Sequence, residues 1–271
     1  YDLVKTMRAS FYVLGPLLSR FKYAKVSLPG GCAWGPRPIN FHLEAFKKLG
    51  AKVTLDSGYI LTEGKLKSAK IKFPIPSVGA TGNVIMACVN LEQEVIIENA
   101  SMEPEIVDLC NFYIKCGVTI TGLGTNKLSI KGIKIKKEIN IDYSIIPDRI
   151  EAGTFLIAAT ATRGSIKINK CNYKHLDVVI DKLKEVGACI SYDNDSVSIN
   201  MEKEIKSVSL ETDVYPGFPT DLQAQWIALM SLSNNTCSIK DTIYLDRFTH
   251  VPELVRLGAK IDMHQNIANV T

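Results

Sequence analysis

Four stretches of this chain end a helix-like run in the same way: Phe46-Lys47-Lys48-Leu49-Gly50-Ala51, Tyr113-Ile114-Lys115-Cys116-Gly117-Val118, Leu183-Lys184-Glu185-Val186-Gly187-Ala188 and Leu254-Val255-Arg256-Leu257-Gly258-Ala259. The glycines stand at 50, 117, 187 and 258, spaced by 67, 70 and 71 residues. A repeat this regular constrains the fold more than any composition figure, because each copy has to be one supersecondary unit. The order inside the copies is shared too: an apolar helix, a short β-branched strand, an amphipathic helix, the glycine that can close it in a left-handed conformation, then alternating strand residues. In the second copy these fall at 80–91, 95–98, 103–116, 118–120 and 127–130, and in the third at 149–162, 165–169, 175–186, 189–192 and 196–200. The period is α-β-α-β-β.

The first helix of a copy, as in Ile150-Glu151-Ala152-Gly153-Thr154-Phe155-Leu156-Ile157-Ala158-Ala159, is apolar nearly all round and rich in small residues. That suits a helix enclosed by others, with sheets outside. Solenoid repeats run to about 20–50 residues, so units of this length build domains rather than an extended array. A chain of 271 residues predicts two domains. The competing reading is that helix-Gly-strand endings recur in any α/β protein.

Hydrophobic residues at 46% and charged residues at 22% exclude disorder, collagen and small disulfide scaffolds. The net charge of +4 comes from scattered basic residues, which argues against nucleic acid and allows only small anionic ligands. Seven cysteines, at 32, 88, 110, 116, 171, 189 and 237, include no C-x-x-C pair. Neither zinc nor a disulfide framework is expected, and a reducing, cytoplasmic compartment fits. Cys88, Cys110 and Cys116 have apolar neighbours and are expected to be buried, inert thiols. No apolar run reaches the roughly 18 residues of a membrane span; the longest, Phe155 to Ala161, reads as a buried helix. The chain opens on Tyr1 rather than Met, as expected of a piece whose natural amino terminus lies upstream.

Leu28-Pro29-Gly30-Gly31-Cys32-Ala33-Trp34-Gly35-Pro36-Arg37-Pro38 holds three Gly and three Pro in eleven residues and predicts an irregular loop. A cysteine there, near an arginine, can be exposed and electropositive, hence usable as acid or nucleophile; the plainer reading is a turn with an incidental thiol. Pro219-Thr220-Asp221 and Pro147-Asp148 each open a helix, and a helix cap alone would explain both aspartates. Arg8 and Arg247 are isolated cations near helix starts, either solvated or donors to phosphate and carboxylate. His42, His175, His250 and His264 lie far apart and read as surface or helix-end residues. Walker A, G-x-G-x-x-G, H-E-x-x-H and G-x-S-x-G motifs do not occur, removing the common nucleotide, dinucleotide, zincin and hydrolase readings.

Taken together, Met7-Arg8-Ala9-Ser10, the Gly30-Gly31-Cys32 loop with Gly35-Pro36-Arg37-Pro38, Ser77-Val78-Gly79-Ala80-Thr81, Asn99 to Glu105, Pro147 to Phe155 and Pro219-Thr220-Asp221 closely resemble the UDP-N-acetylglucosamine 1-carboxyvinyltransferases of the enolpyruvyl transferase family. The resemblance runs over the whole chain. It implies an α/β fold of inside-out α/β barrel domains, built from repeated α/β units with buried helices and outer sheets. Residues 1–146 would be part of a first such domain and 147–271 part of a second, and four repeats against the family's six imply about two thirds of an enzyme.

The implied reaction moves the enolpyruvyl group of phosphoenolpyruvate to the 3-hydroxyl of UDP-N-acetylglucosamine by addition and elimination, releasing phosphate. It is the first committed step of peptidoglycan synthesis, with no cofactor, metal, nucleic acid or membrane involved. By the same resemblance Cys32 is the general acid and the residue alkylated by fosfomycin, and Asp221 takes the sugar hydroxyl proton from the other domain. Arg8, Arg37 and Arg247 would neutralise the two polyanionic ligands in one cleft. Ser77, Val78 and Gly79 would hold the uridine diphosphate, and Glu105, Asp148, Thr220 and Ile243 complete the substrate-binding set.

Asn40 stands where many members carry Asp. The family's Lys-Asn motif would lie before Tyr1, and its last arginines after Thr271. The shikimate 3-phosphate branch would share the fold but not the Gly-Gly-Cys loop. The alternative from another class is a catalytically silent chain that binds a uridine-diphosphate sugar or another protein.

Overall fold

All four glycine-ended helices close alike. In the computed structural model, Gly50, Gly117, Gly187 and Gly258 have φ of 93°, 97°, 117° and 104°. The next residue's N–H returns each time to a carbonyl five positions back: Ala51 to Phe46 (3.0 Å), Val118 to Tyr113 (3.0 Å), Ala188 to Leu183 (3.1 Å) and Ala259 to Leu254 (3.0 Å). This is the Schellman closure, which needs a residue free of a Cβ at the left-handed position.

The structure describes residues 7–28, 39–134 and 138–271, the side chain of Arg8 excepted. Cys32 and Arg37 therefore lie outside the described residues, as does the side chain of Arg8. The chain divides into two units, Tyr1–Ile145 and Ile146–Thr271, each with its own apolar core.

In the first unit a 3-10 turn (Arg8–Val13) leads into α1 (Leu14–Phe21), β1 (Tyr23–Ser27), α2 (Asn40–Lys48), β2 (Lys52–Asp56) and β3 (Tyr59–Glu63). Then come β4 (Lys70–Lys72), α3 (Val78–Cys88), β5 (Glu94–Glu98), α4 (Pro104–Lys115), β6 (Thr119–Thr121) and β7 (Lys127–Lys131). The second unit repeats the plan with α5 (Arg149–Ala161), β8 (Ser165–Asn169), α6 (Asp177–Val186), β9 (Cys189–Tyr192) and β10 (Ser196–Asn200). It continues with β11 (Leu210–Glu211), a 3-10 turn (Thr220–Leu222), α7 (Gln223–Met230), β12 (Cys237–Lys240), α8 (Val251–Arg256), β13 (Ile261–His264) and β14 (Ile267–Val270).

The sheets run β1-β3-β2, β4-β5-β7-β6, β8-β10-β9 and β11-β12-β14-β13. Every copy thus inserts its last strand between its first two, by antiparallel pairing. The second and fourth copies add an edge strand, β4 or β11, parallel to the next strand and joined to it across a helix. Parallel partners need such a crossover. These two additions were not expected from the sequence, because strands of three and two residues are too short for a period to register.

The enclosed helix is clearest in α3, where eight of eleven residues are buried and α1, α2 and α4 all touch it. Helix α5 packs on α6, α7, β8 and β10, burying Ala152, Gly153, Leu156, Ile157, Ala159 and Thr160. Among the described residues, Phe155, with 55% exposure, Glu151 and Ala158 form the exposed stripe of this helix.

Candidate functional site

In the first unit the candidate residues Ser77, Val78 and Gly79 stand at the amino-terminal turn of α3. Ser77 caps the helix, its Oγ accepting from Ala80 N at 3.3 Å; Val78 is exposed and Gly79 half-buried. A Cβ at Gly79 would stand 3.1 Å from His42 Nε2 and 3.3 Å from the Tyr12 hydroxyl, so this glycine permits a close approach. His42 lies in the first turn of α2, a helix-end residue as expected, but it is buried rather than at the surface. Its partner is Asn83, inside α3.

Asn83 Oδ1 accepts from Gly15 N at 2.8 Å, which turns its amide nitrogen toward Phe11 O (3.2 Å) and His42 Nδ1 (3.1 Å). The ring nitrogen then has to accept, which puts the proton of the neutral imidazole on Nε2, beside Gly79. Thr81 Oγ1 accepts from Ser101 N at 3.1 Å, drawing the loop before α4 to the first turn of α3. Glu105 sits exposed on the first turn of α4.

In the second unit Asp148 does what a helix-opening aspartate does by default: its Oδ1 accepts from Ile150 N (2.8 Å) and Glu151 N (3.1 Å) at the start of α5. Asp148→Ala is expected to cost about 1 kcal/mol of stability, read as a lower denaturation midpoint. An unchanged midpoint with weakened sugar binding would instead assign the carboxylate to a ligand.

Asp221 behaves differently. It stands inside the 3-10 turn, whose cap position is Pro219, while that of α7 is Leu222, and its Oδ1 lies 2.7 Å from Arg247 Nη2. The guanidinium also donates from Nη1 to Thr220 Oγ1 at 3.2 Å and stands 5.6 Å from the centre of the Tyr244 ring. The carboxylate side chain is 53% exposed and that of Arg247 15%, so an accessible carboxylate is held by a cation that is mostly buried.

Strand pairing brings these groups together. β11 and β12 run parallel, Glu211 opposite Lys240, so Thr212 and Asp241 leave their strands side by side. The chain then returns through an isolated bridge from Phe218 to Thr212. Phe218 is anchored edge-on against Trp226 at 5.3 Å, and this delivers Thr220 to Asp241. Asp241 is fully buried, and sequence reasoning passed it over. The one local hint was an aspartate at the end of a strand, where an Asx turn binds the backbone just beyond.

His250 opens α8 as a helix-end residue. Burial, helped by the charge of Arg247, pushes its imidazole below the ordinary range. Burial also pushes the Cys88 and Cys110 thiols up to about 12 and raises half-buried Cys116, so these thiols stay protonated and unreactive. Among the described residues no group of three or more His, Cys, Asp or Glu could hold a metal ion, and no helix is long and apolar enough to cross a membrane.

Comparison with known proteins covers the whole chain. It is 50% identical over 273 residues to UDP-N-acetylglucosamine 1-carboxyvinyltransferase of Chlorobium chlorochromatii, and 49% identical over 272 residues to the protein of that name from Geotalea daltonii. In each case all of this chain and 64% of the relative are aligned, so the chain spans a little under two thirds of the curated relatives it matches. The fold is that of the enolpyruvyl transferase NikO from Streptomyces tendae, with a TM-score of 0.87 at 21% identity over 99% of this chain and 64% of that one. It is also similar to EPSP synthase from Acinetobacter baumannii, with a TM-score of 0.70 at 17% identity over 98% and 63%. The family described as EPSP synthase (3-phosphoshikimate 1-carboxyvinyltransferase) matches residues 1–271, and the chain, with its repeated glycine-closed units, belongs to that family of enolpyruvyl transferases.

Proposed function

We propose that this chain is part of an enzyme that moves the enolpyruvyl group of phosphoenolpyruvate to the 3-hydroxyl of UDP-N-acetylglucosamine, in the cytoplasm, as the first committed step of peptidoglycan synthesis for cell wall growth, shape and division. The observation that carries the reading is the Asp221–Arg247 pair: a half-exposed carboxylate fixed at 2.7 Å by a guanidinium, both at positions that the family resemblance assigns to the site. Identities of 47–50% along the whole chain to relatives of that name support it.

In this mechanism Asp221 takes the proton of the sugar hydroxyl as its oxygen bonds to C2 of phosphoenolpyruvate, and Cys32 gives a proton to C3. Elimination returns a proton from C3 to the Cys32 sulfur, breaks the bond from C2 to the phosphate oxygen and releases inorganic phosphate, which leaves with the proton that Asp221 took from the sugar. Arg247, Arg8 and Arg37 offset the charge of the two anionic substrates. Ser77, Val78 and Gly79 present the amino-terminal turn of α3, whose free N–H groups suit the diphosphate. Glu105, Asp148, Thr220 and Ile243 complete the substrate-binding set.

Phosphate release from phosphoenolpyruvate, with and without UDP-N-acetylglucosamine, tests the reading on the protein at its natural length. Sugar-dependent release is expected. Release driven by shikimate 3-phosphate instead would move the assignment to the other branch, and none with either acceptor would leave a silent binding chain. Fosfomycin is expected to label Cys32. Cys32→Ala should abolish labelling while leaving UDP-sugar binding within a few fold. Cys32→Asp should keep turnover without labelling, because a carboxylic acid still donates a proton but is a poor target for the epoxide. Labelling that persists at another cysteine would sink the role of Cys32.

A further inference from the structure

We infer that Asp241 is a positioning residue: acting through Thr220, it holds the Arg247 guanidinium against the Asp221 carboxylate. The inference rests on the proposed roles of Asp221 and Arg247 and deepens them. Asp241 is fully buried, and its two oxygens divide two tasks. Oδ1 accepts from Thr212 Oγ1, Ile243 N and Tyr244 N, each at 2.9 Å, and so shapes the turn that leaves β12. Oδ2 accepts from Thr220 Oγ1 at 2.6 Å.

Four donors converge on this carboxylate among the described residues, so both of its oxygens are engaged as acceptors. Thr220 has a single proton, and this arrangement commits it to Asp241. The lone pairs of the same oxygen are then left to Arg247 Nη1 at 3.2 Å, while Nη2 reaches Asp221 Oδ1 at 2.7 Å. The donor order Arg247 to Thr220 to Asp241 is thereby fixed, and the guanidinium is held at two nitrogens rather than one. The same buried carboxylate orders the backbone of Ile243, so three of the substrate-site positions in this unit depend on it.

Asp241→Asn separates the two tasks. The amide oxygen can keep the three bonds of Oδ1, but the amide nitrogen meets Thr220 Oγ1 as a second donor, so the Thr220 proton loses its acceptor and the lone pairs that served Arg247 alone are divided between two donors. In the protein at its natural length, this variant is expected to lower kcat for sugar-dependent phosphate release about 10- to 100-fold, the loss of one hydrogen bond to a charged group, with any rise in KM confined to the substrate that Arg247 contacts. Thr220→Val should lose about as much, Thr220→Ser should restore turnover, and Asp241→Asn combined with Thr220→Val should fall no further than either alone, because the two act through one link.

Additive losses in the combined variant, or wild-type kcat in Asp241→Asn, would overturn the inference. If the wild-type protein shows no sugar-dependent release, the functional reading fails by itself, and the NMR signals of the Arg247 guanidinium decide the structural claim. Their hydrogen exchange should quicken in Asp241→Asn, while that of Arg256, whose pair with Glu253 is exposed, stays as it was; equal exchange at Arg247 in both proteins would refute the claim. Should Asp241→Asn fail to fold, Thr220→Val removes only the hydroxyl and reads the same link by the same signals.

Discussion

Asp221→Asn is expected to lower sugar-dependent phosphate release by about 10²- to 10⁴-fold, the range contributed by a positioned general base. The amide keeps the size of the side chain and can still accept from Arg247, so the site is left in shape and only the ability to take a proton is lost. Stability should change little. The carboxylate side chain is 53% exposed, and solvent screens such a pair to about 0–1 kcal/mol. Rates and a denaturation midpoint measured on the same preparation decide the matter. Turnover within about threefold of wild type would remove Asp221 from the chemistry, whereas a large loss of stability would make the pair with Arg247 structural.

Gly15→Ala is expected to be the most damaging small change in the first unit. A Cβ at Gly15, on α1, would lie 2.3 Å from the backbone oxygen of Asn83 and 2.4 Å from its Oδ1. Neither atom can retreat, since one belongs to α3 and the other accepts from Gly15 N at 2.8 Å while its amide faces Phe11 and His42. Overpacking costs about 1–3 kcal/mol and a buried hydrogen bond left unmade another 1–3 kcal/mol or so, a large share of the roughly 5–15 kcal/mol that keeps a domain folded. Gly58→Ala supplies the contrast: no atom stands within 4 Å of the added carbon, but φ is +81°, so only about 1–2 kcal/mol of backbone strain is expected. Denaturation midpoints of the two variants test the packing argument, which predicts that Gly15→Ala falls well below Gly58→Ala. Equal midpoints would mean that α1 and α3 separate without cost.

Much of this architecture was legible in the amino-acid order. The helix endings could be read because a Schellman closure involves residues within six positions of one another, so its glycine and its apolar contact appear together in the sequence. Helix 149–162 and strands 165–169, 189–192 and 196–200 were expected within a residue of where they stand, since period and punctuation are local properties. The helix expected at 175–186 begins instead as a separate 3-10 turn, Tyr173–His175, before α6. There Asn172 caps the turn through Lys174 N, and no periodicity announces such a break.

The candidate site was legible in kind but not in role. Pro147-Asp148 and Pro219-Thr220-Asp221 look alike as helix openings, and capping was an open reading for both. Asp148 caps its helix, with partners two and three residues on. Asp221 falls one residue inside a 3-10 turn whose cap position is Pro219, and Arg247 is brought to it from another part of the unit. His42 reads as a solitary imidazole until Asn83, 41 residues away, is seen against it.

By itself the sequence determined the repeated unit, its glycine closures, the family and the residues to suspect, since each depends on neighbours along the chain. Tertiary structure alone decided which aspartate caps a helix and which pairs with an arginine, and it singled out Asp241. The partners of that carboxylate, Thr212 and Thr220, lie 29 and 21 residues before it and meet it only because two strands pair in parallel and the loop between them folds back. A buried carboxylate is positioned by everything that donates to it, and that set exists only once the chain has folded.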